Sequence, residues 1–171
     1  MNSVSHIVAT ILKYAYTRIE AEKLLSVFRL ISEAYFYQQA DTQMIESLIK
    51  ERFRRTPEAD YYFESLPELI QLAQESTKGK IYETIHEVSE ALESLPILTL
   101  YVPVKFEHEY IKKIGTWARG NINEKILLQF IVSPAYRGGS GVSWKGIMKD
   151  YSFNHFLKLE SRSIQSLIQN V

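Results

Sequence analysis

The sequence predicts a mostly helical α+β fold, with an N-terminal antiparallel helical bundle followed by a small C-terminal α/β module. Two observations lead to this prediction. Apolar residues recur at helical spacing through residues 1–95, so each segment has one apolar face to bury against a neighbour. After Pro96 the pattern changes to short β-rich runs separated by proline, glycine and asparagine. We therefore expect a bundle over 1–76, a connecting helix over 77–96 and the α/β module over 97–171.

The helices of the bundle are predicted from apolar stripes that repeat every three or four residues. Each stripe occupies only one side of its helix, which is typical of helices that pack against one another in a bundle. The stripe residues are Val4, Ile7, Val8, Ile11, Leu12 and Ala15, then Leu24, Phe28, Ile31 and Tyr35, then Ile45, Leu48, Ile49 and Phe53, and finally Ile81, Ile85, Val88, Leu92 and Leu95.

Two helix-start signals lie between the third and the last stripe. Thr56 followed by Pro57 is typical of a helix start, since the first turn does not need the N–H group that proline lacks. Ser65 and Glu68 fit a capping box, in which a hydroxyl and a carboxylate bond exposed N–H groups of the first turn. The N-terminal half is therefore predicted to hold about five helices.

The C-terminal module is predicted to run strand, helix, strand, strand, strand, helix. Proline or glycine follows most of these segments, as expected where strands and helices end. Lys145 and Gly146 sit between two short β-rich runs and indicate a hairpin turn. The predicted elements are strands at 97–102 and 126–132, a helix at 106–119, hairpin strands at 142–144 and 147–151, and a terminal amphipathic helix that carries Leu157, Ile164, Leu167, Ile168 and Val171.

Composition argues against several classes of site. There is no cysteine, so disulfides and cysteine-based zinc or redox sites are excluded. The four histidines show no metal-ligand spacing, and no nucleophile motif is present. No stretch approaches the roughly 18–20 apolar residues of a spanning helix, so we expect no direct membrane insertion. We also expect no catalytic residue, no cofactor and no metal ion.

Charge is unevenly distributed although the net charge is zero. Residues 58–95 carry nine acidic residues against two lysines, a net charge of −7. Residues 96–171 carry ten Lys and Arg residues against five acidic ones, a net charge of +5. This asymmetry indicates either two parts with different partners or two solvated faces that compensate each other.

Two ligand classes are considered for the C-terminal part. The glycine cluster 138–141 does not fit a phosphate loop, because Val142 to Trp144 read as a strand where a helix is required. Basic residues and aromatic rings are typical of surfaces that bind single-stranded nucleic acid. Here most rings fall on apolar periodic positions, which favours core packing, so we expect no nucleic-acid partner.

Residues 133–152 contain a recognisable motif that continues into the terminal helix. Ser133 and Pro134 are followed by the glycine pair Gly138-Gly139, and the next motif residue follows eleven positions after the second glycine. The motif resembles the C-terminal signature of the δ subunit of F-type ATP synthases, the relatives of the mitochondrial oligomycin-sensitivity-conferring protein. The residues that carry the resemblance are Pro134, Gly138, Gly139, Asp150 and Ser152.

The chain departs from this family at two motif positions and in its N-terminal half, where about five helices are predicted and the family bundle has six. Ser133 stands where the family usually has Asp, and Arg137 where it has Ile or Val. The resemblance is specific over 97–171 and only architectural before that. The motif residues read as fold markers: Pro134 ends a strand, the glycine pair allows a sharp turn, and Asp150 or Ser152 caps the final helix.

The resemblance implies a non-catalytic peripheral-stalk (stator) subunit that joins the catalytic head to the b-subunit stalk. Such a subunit couples proton-driven rotation to ATP synthesis. It implies that the head's α and β subunits bind the bundle and that the b subunit binds the C-terminal module. The candidate partner-binding residues are Ile7 and Ile11 in the bundle and Ile164 and Leu167 in the terminal helix.

The resemblance also implies a location at the cytoplasmic face of a bacterial plasma membrane, held there through the complex. A mitochondrial location is the alternative, since the first nineteen residues carry Lys13 and Arg18 and no acidic residue. Two other functional classes stay open: a stand-alone helical adaptor for protein–protein binding, and a small RNA-binding module. No constellation of residues supports an enzyme.

Overall fold

The computed structural model of the chain has the mostly helical α+β architecture that the sequence predicts. Two compact units are separated at the boundary between Leu95 and Pro96, where the sequence pattern changes. None of the helices in the described parts of the chain is long and apolar enough to cross a membrane. The structure describes residues 3–53, 59–76, 78–136 and 138–160.

The first unit is built from five α-helices within the described residues. α2 contacts all four of the others, and α1 also packs against α4 and α5. A short 3₁₀ turn, Lys78–Lys80, leads into the last helix. The helices are α1 (Ser3–Tyr14), α2 (Arg18–Tyr37), α3 (Thr42–Phe53), α4 (Ala59–Glu75) and α5 (Ile81–Glu93).

The core of this unit is formed by the predicted apolar stripes. Most stripe residues are fully or almost fully buried, and burying each such side chain stabilises the fold by roughly 1.5–3 kcal/mol relative to exposing it. Tyr62 and Leu69 of α4 join them in the core. The buried stripe residues include Ile7, Ile11, Leu24, Phe28, Ile31, Ile45, Ile49, Ile81, Val88 and Leu92.

α5 belongs to the bundle and is not the separate connecting helix that the sequence suggests over 77–96. It packs against α1 and α2, and the first unit extends to Leu95. Its residues Ile81, Val88 and Leu92 are buried. A helix with one apolar face is stable in water only when that face is covered, and the bundle provides the cover.

The capping box predicted at Ser65 and Glu68 is wrong, because α4 runs through this point without a break. The Ser65 hydroxyl is buried and donates a hydrogen bond to the Tyr62 carbonyl oxygen at 2.7 Å. Pro67 lies inside the helix, where it lacks the N–H group that would bond the Phe63 carbonyl. The start predicted at Thr56 and Pro57 lies outside the described residues.

A capping box is present at the start of α2. The Thr17 hydroxyl accepts a hydrogen bond from the Glu20 N–H at 3.2 Å. In return the Glu20 carboxylate accepts from the Thr17 N–H at 2.9 Å. This exchange satisfies two backbone donors that the helix itself leaves unpaired.

The second unit has the predicted order of elements. The 3₁₀ turn Pro134–Tyr136 follows the second strand. Helix boundaries differ from the predicted ones by about two residues, which is the usual uncertainty of such boundaries. The elements are β1 (Ile97–Val102), α6 (His108–Asn121), β2 (Leu127–Val132), β3 (Gly141–Trp144), β4 (Ile147–Asp150) and α7 (Phe153–Leu159).

The four strands form one mixed sheet in the order β2-β1-β3-β4. β1 and β2 are parallel, as their connection through α6 allows, and β1 and β3 are antiparallel. β3 and β4 form the predicted hairpin. Lys145 and Gly146 both adopt positive φ angles, 50° and 78°, as a two-residue type I′ turn requires.

One face of this sheet packs against α6. The core cluster joins Ala118 of α6 to Leu98 of β1 and Leu128 of β2, together with Ile126. Because side chains alternate along a strand, the residues two positions away share this face. The partly buried residues packed against the cluster are Leu100, Ile114, Phe130, Val142 and Trp144.

Candidate functional site

The motif begins where β2 ends. Val132 is the last residue of the strand, and Pro134 starts the 3₁₀ turn two residues later. The Ser133 N–H donates to the Val102 carbonyl oxygen at 2.8 Å, which anchors this point to the end of β1. Pro134 therefore lies at the position where the chain leaves the sheet.

The glycine pair of the motif lies directly against the start of α7. Gly138 has φ +71°, a conformation that L residues rarely adopt. A Cβ atom on Gly139 would stand 2.2 Å from the Tyr151 carbonyl oxygen and 2.7 Å from the Ser152 Cα. Since both obstructing atoms belong to the backbone, only glycine fits at position 139 without a shift of the chain.

The two polar residues of the motif organise the start of α7. Ser152 is almost fully buried, and its hydroxyl accepts a hydrogen bond from the His155 N–H at 3.2 Å as the N-cap of the helix. The Asp150 carboxylate accepts from the Ser152 N–H at 2.8 Å. This bond holds the pKa of Asp150 below its ordinary value. Both residues therefore shape the backbone of the same turn.

The sequence did not reveal the role of Tyr136, whose ring covers part of the second face of the sheet. The rings of Tyr136 and Tyr101 lie 5.5 Å apart between their centroids. A Cβ atom on Gly141 would stand 2.6 Å from Cε1 of Tyr136. The available signal was the glycine at the start of β3, which leaves room for a ring to pack on the strand.

The two partner-binding candidates of the bundle do not lie on its surface. Ile7 and Ile11 of α1 are fully buried. They lie on the inner face of an amphipathic helix. The expectation that they bind a partner is therefore corrected: in this structure they pack in the core. Ile164 and Leu167, the candidates of the terminal helix, lie outside the described residues.

A polar cross-link joins α1 to α4 at the surface of the bundle. The Glu68 carboxylate accepts hydrogen bonds from the Lys13 ammonium and from the Tyr14 hydroxyl, the latter at 2.9 Å. The bond from Lys13 lowers the pKa of Glu68 and raises that of Lys13. Burial, followed by the bond to Glu68, raises the pKa of Tyr14. The pairing stabilises the contact between the two helices.

Seven of the exposed large apolar side chains of the second unit lie on β4, on α7 or between these two elements. Ile147 is 66 % exposed and Tyr151 is 60 % exposed. By alternation Ile147 and Met148 lie on opposite faces of the sheet, and exposed apolar side chains that adjoin one another are typical of protein-binding surfaces. The sequence predicted the hairpin but not this exposure, because periodicity does not show which face of an edge strand is covered. The exposed residues are Ile147, Met148, Tyr151, Phe153, Phe156, Leu157 and Leu159.

Some acidic and basic side chains of the described residues form ion pairs along the surface of one helix. The pKa of Glu109 is lowered by its hydrogen bond with Lys113 within α6, and the pKa of Arg29 is raised by Glu33 within α2. Within the described ranges, no three histidine or acidic side chains are grouped so that they could hold a metal ion.

No protein-family model matches the sequence, and no curated protein is similar to it. The resemblance to the δ family therefore rests on the motif residues of 133–152 and on the order of the elements around them.

Proposed function

We propose that this chain is a divergent δ-type subunit of an F-type ATP synthase, a non-catalytic part of the peripheral stalk. It joins the catalytic head to the b-subunit stalk and keeps the head from turning with the rotor. Proton-driven rotation is thereby coupled to ATP synthesis. The observation that carries the proposal is the packing of Gly139 against Tyr151 and Ser152. This contact explains why the glycine and the Asp-x-Ser part of the motif occur together.

The spacing of the motif follows from this packing. The β3–β4 hairpin starts directly after the loop that contains Gly138 and Gly139, and it ends beside that loop, because Gly141 pairs with Asp150. The Tyr151 N–H donates to the Ser140 carbonyl oxygen at 2.8 Å, which closes the base of the hairpin. The separation between Gly139 and Asp150 is thus the length of a short hairpin, and it matches the separation in the δ signature.

The arrangement of the whole chain also supports the proposal. A helical unit is followed by a unit with the order β1, α6, β2, β3, β4, α7. The δ family shows the same order of a helical half and a C-terminal module. In the proposed complex, the α and β subunits of the head bind the bundle and the b subunit binds the second unit, at the cytoplasmic face of a bacterial plasma membrane.

The exposed apolar side chains of β4, α7 and the turn between them support a role in protein binding more generally. Ile147, Tyr151 and Phe156 are each more than half exposed. A stand-alone adaptor would show the same feature, so the two functions differ in the identity of the partners. The experiment must therefore name the proteins that are bound.

The test is affinity purification of the tagged full chain from detergent-solubilised membranes of its source, with mass spectrometry of the bound proteins. We expect the α, β and b subunits of the ATP synthase in stoichiometric amounts. Gly139→Ala should reduce the recovery of b, because it displaces the loop that holds α7. Gly120→Ala is the matched control, since a Cβ atom there meets nothing within 4 Å.

Two results would decide against the proposal. A folded wild-type chain that recovers none of the three subunits would contradict the stator function. Stoichiometric recovery of unrelated proteins would favour the adaptor.

A further inference from the structure

Among the described residues, α6 covers one face of the sheet in the second unit only in part. A helix with its side chains is about 10 Å wide and neighbouring strands are about 4.8 Å apart, so α6 covers roughly two strands. The core cluster joins α6 mainly to β1 and β2, through Leu98 and Leu128. On the same face Trp144 of β3 is partly buried, and Ile147 of β4 is 66 % exposed.

Within the part of the chain that the structure describes, the less covered side of this face, at β3 and β4, forms a shallow groove of about 280 Å³. Trp144 pairs with Ile147 across the hairpin, and Val142 pairs with Lys149, so these four side chains share one face. Helices that pack side by side lie 8–10 Å apart, so a helix bound beside α6 at that distance would lie over β3 and β4. The groove is lined by Val142, Trp144, Ile147, Lys149 and Tyr151.

Positive charge borders this apolar groove. Lys149 is part of its lining. Lys145 lies in the hairpin turn with its ammonium 5.5 Å from the centre of the Trp144 ring. Asp150 falls on the opposite face of β4 by alternation, and its carboxylate accepts a hydrogen bond from the Ser152 N–H. A partner that complements this groove therefore needs an apolar stripe with acidic residues beside it.

We infer that the groove formed by Val142, Trp144, Ile147, Lys149 and Tyr151 binds an acidic amphipathic helix from another protein. Apolar side chains of that helix pack between the rings of Trp144 and Tyr151, and its carboxylates face Lys149 and Lys145. This assignment goes beyond the proposed function. It gives the face and the chemistry of the contact, and it does not require the partner to be a stalk subunit.

Charge separates this occupant from two others. Residues 161–171 of the same chain include Ile164 and Leu167, but their one charged residue is Arg162, which does not complement Lys149. A second copy of the unit is also disfavoured, because residues 96–171 carry a net charge of +5 and would repel their like.

The occupant is identified by photo-crosslinking in the cells that are the source of the chain. The photoreactive amino acid p-benzoylphenylalanine is placed at position 147 of the full chain, and at position 125 as a control near the opposite edge of the sheet. We expect position 147 alone to crosslink to a segment with an apolar helical stripe flanked by Asp or Glu. Crosslinks to residues 161–171, to a second copy, or to nothing would overturn the assignment.

Affinity is then measured by titration calorimetry with a synthetic peptide of the crosslinked segment and the full chain. Ile147→Asp is expected to weaken binding about 30-fold, the loss typical of a central apolar contact. Lys149→Glu is expected to weaken it about 5- to 10-fold at low salt and less at high salt. Lys125→Glu makes the same charge change outside the groove and should have no effect. Equal effects of both lysine variants would contradict the assignment.

The two proposals fail separately. If affinity purification recovers the α, β and b subunits but position 147 crosslinks to none of them and to no acidic helix, the groove assignment fails and the stator function stands. If affinity purification recovers none of the three subunits while position 147 crosslinks to an acidic amphipathic helix of another protein, the groove assignment holds and the stator function fails.

Discussion

Gly139 and Tyr151 are in such close contact that a Cβ atom on the glycine would lie 2.2 Å from the tyrosine carbonyl oxygen. The loop after β2 is thereby pressed against the start of α7. Position 139 differs in this respect from Gly138, where the constraint is a positive φ angle and the nearest atom is a side-chain carbon of Phe153, at 3.1 Å. The glycine pair thus meets two separate requirements of one turn.

Gly139→Ala is expected to lower the free energy of unfolding of the second unit by about 1–3 kcal/mol, the usual cost of overpacking. The obstructing atoms are backbone atoms, so a side-chain rotation cannot relieve the clash. Urea denaturation followed by circular dichroism measures the change. Gly120→Ala, at an open helical position, should leave stability unchanged or raise it. Equal stability of the two variants would show that the backbone around position 139 shifts to accommodate a Cβ atom with no loss of stability.

Asp150 is expected to make the stability of the second unit depend on pH in the acid range. Its pKa is depressed in the folded state, first by the hydrogen bond from the Ser152 N–H. A depressed pKa means that the stabilisation is present above the unfolded pKa and is lost as pH falls through the folded pKa. Denaturation midpoints between pH 7 and pH 3 should therefore fall less steeply for Asp150→Asn than for the wild type. Parallel pH profiles would contradict this role.

Pro67→Ala is expected to stabilise the first unit by about 1–2 kcal/mol. Proline inside a helix removes one backbone hydrogen bond and costs about 3 kcal/mol, and part of the gain from alanine is offset by greater freedom of the unfolded chain. Pro67 is exposed, so the change disturbs no core packing. Thermal unfolding followed by circular dichroism gives the shift, with Gln74→Ala on the same helix as the control. A lower melting temperature would mean that the proline is favourable where it stands.

The sequence predicted the elements of the second unit well, because its strands and helices are bounded by local signals. Lys145-Gly146 marks a two-residue hairpin loop, and Ser152 stands one residue before α7 as an N-cap. Such signals depend on neighbouring residues alone and can be read without the tertiary structure. The glycine pair was also readable as a sharp turn.

The sequence was less informative wherever tertiary contacts decide. Ser65 and Glu68 have the spacing of a capping box, yet both lie within the continuous helix α4. Ser65 is buried in the bundle, and Glu68 accepts a hydrogen bond from Lys13 of α1. The exposed side of the β3–β4 hairpin was not predicted either. Alternation shows that Trp144 and Ile147 share a face, but only the tertiary structure shows that, among the described residues, Trp144 is partly buried and Ile147 is exposed.

Ile7→Ala is expected to destabilise the bundle by about 2–5 kcal/mol, as large-to-small substitutions in a packed core do. Ile7 is fully buried in α1, so its loss leaves a cavity and exposes no new partner surface. Ala9→Ser, on the exposed side of the same helix, should change stability by less than about 0.5 kcal/mol. Chemical denaturation measures both values. If Ile7→Ala leaves the free energy of unfolding unchanged but abolishes recovery of partner subunits, the core-packing role is contradicted. Ile7 would then contact a partner directly.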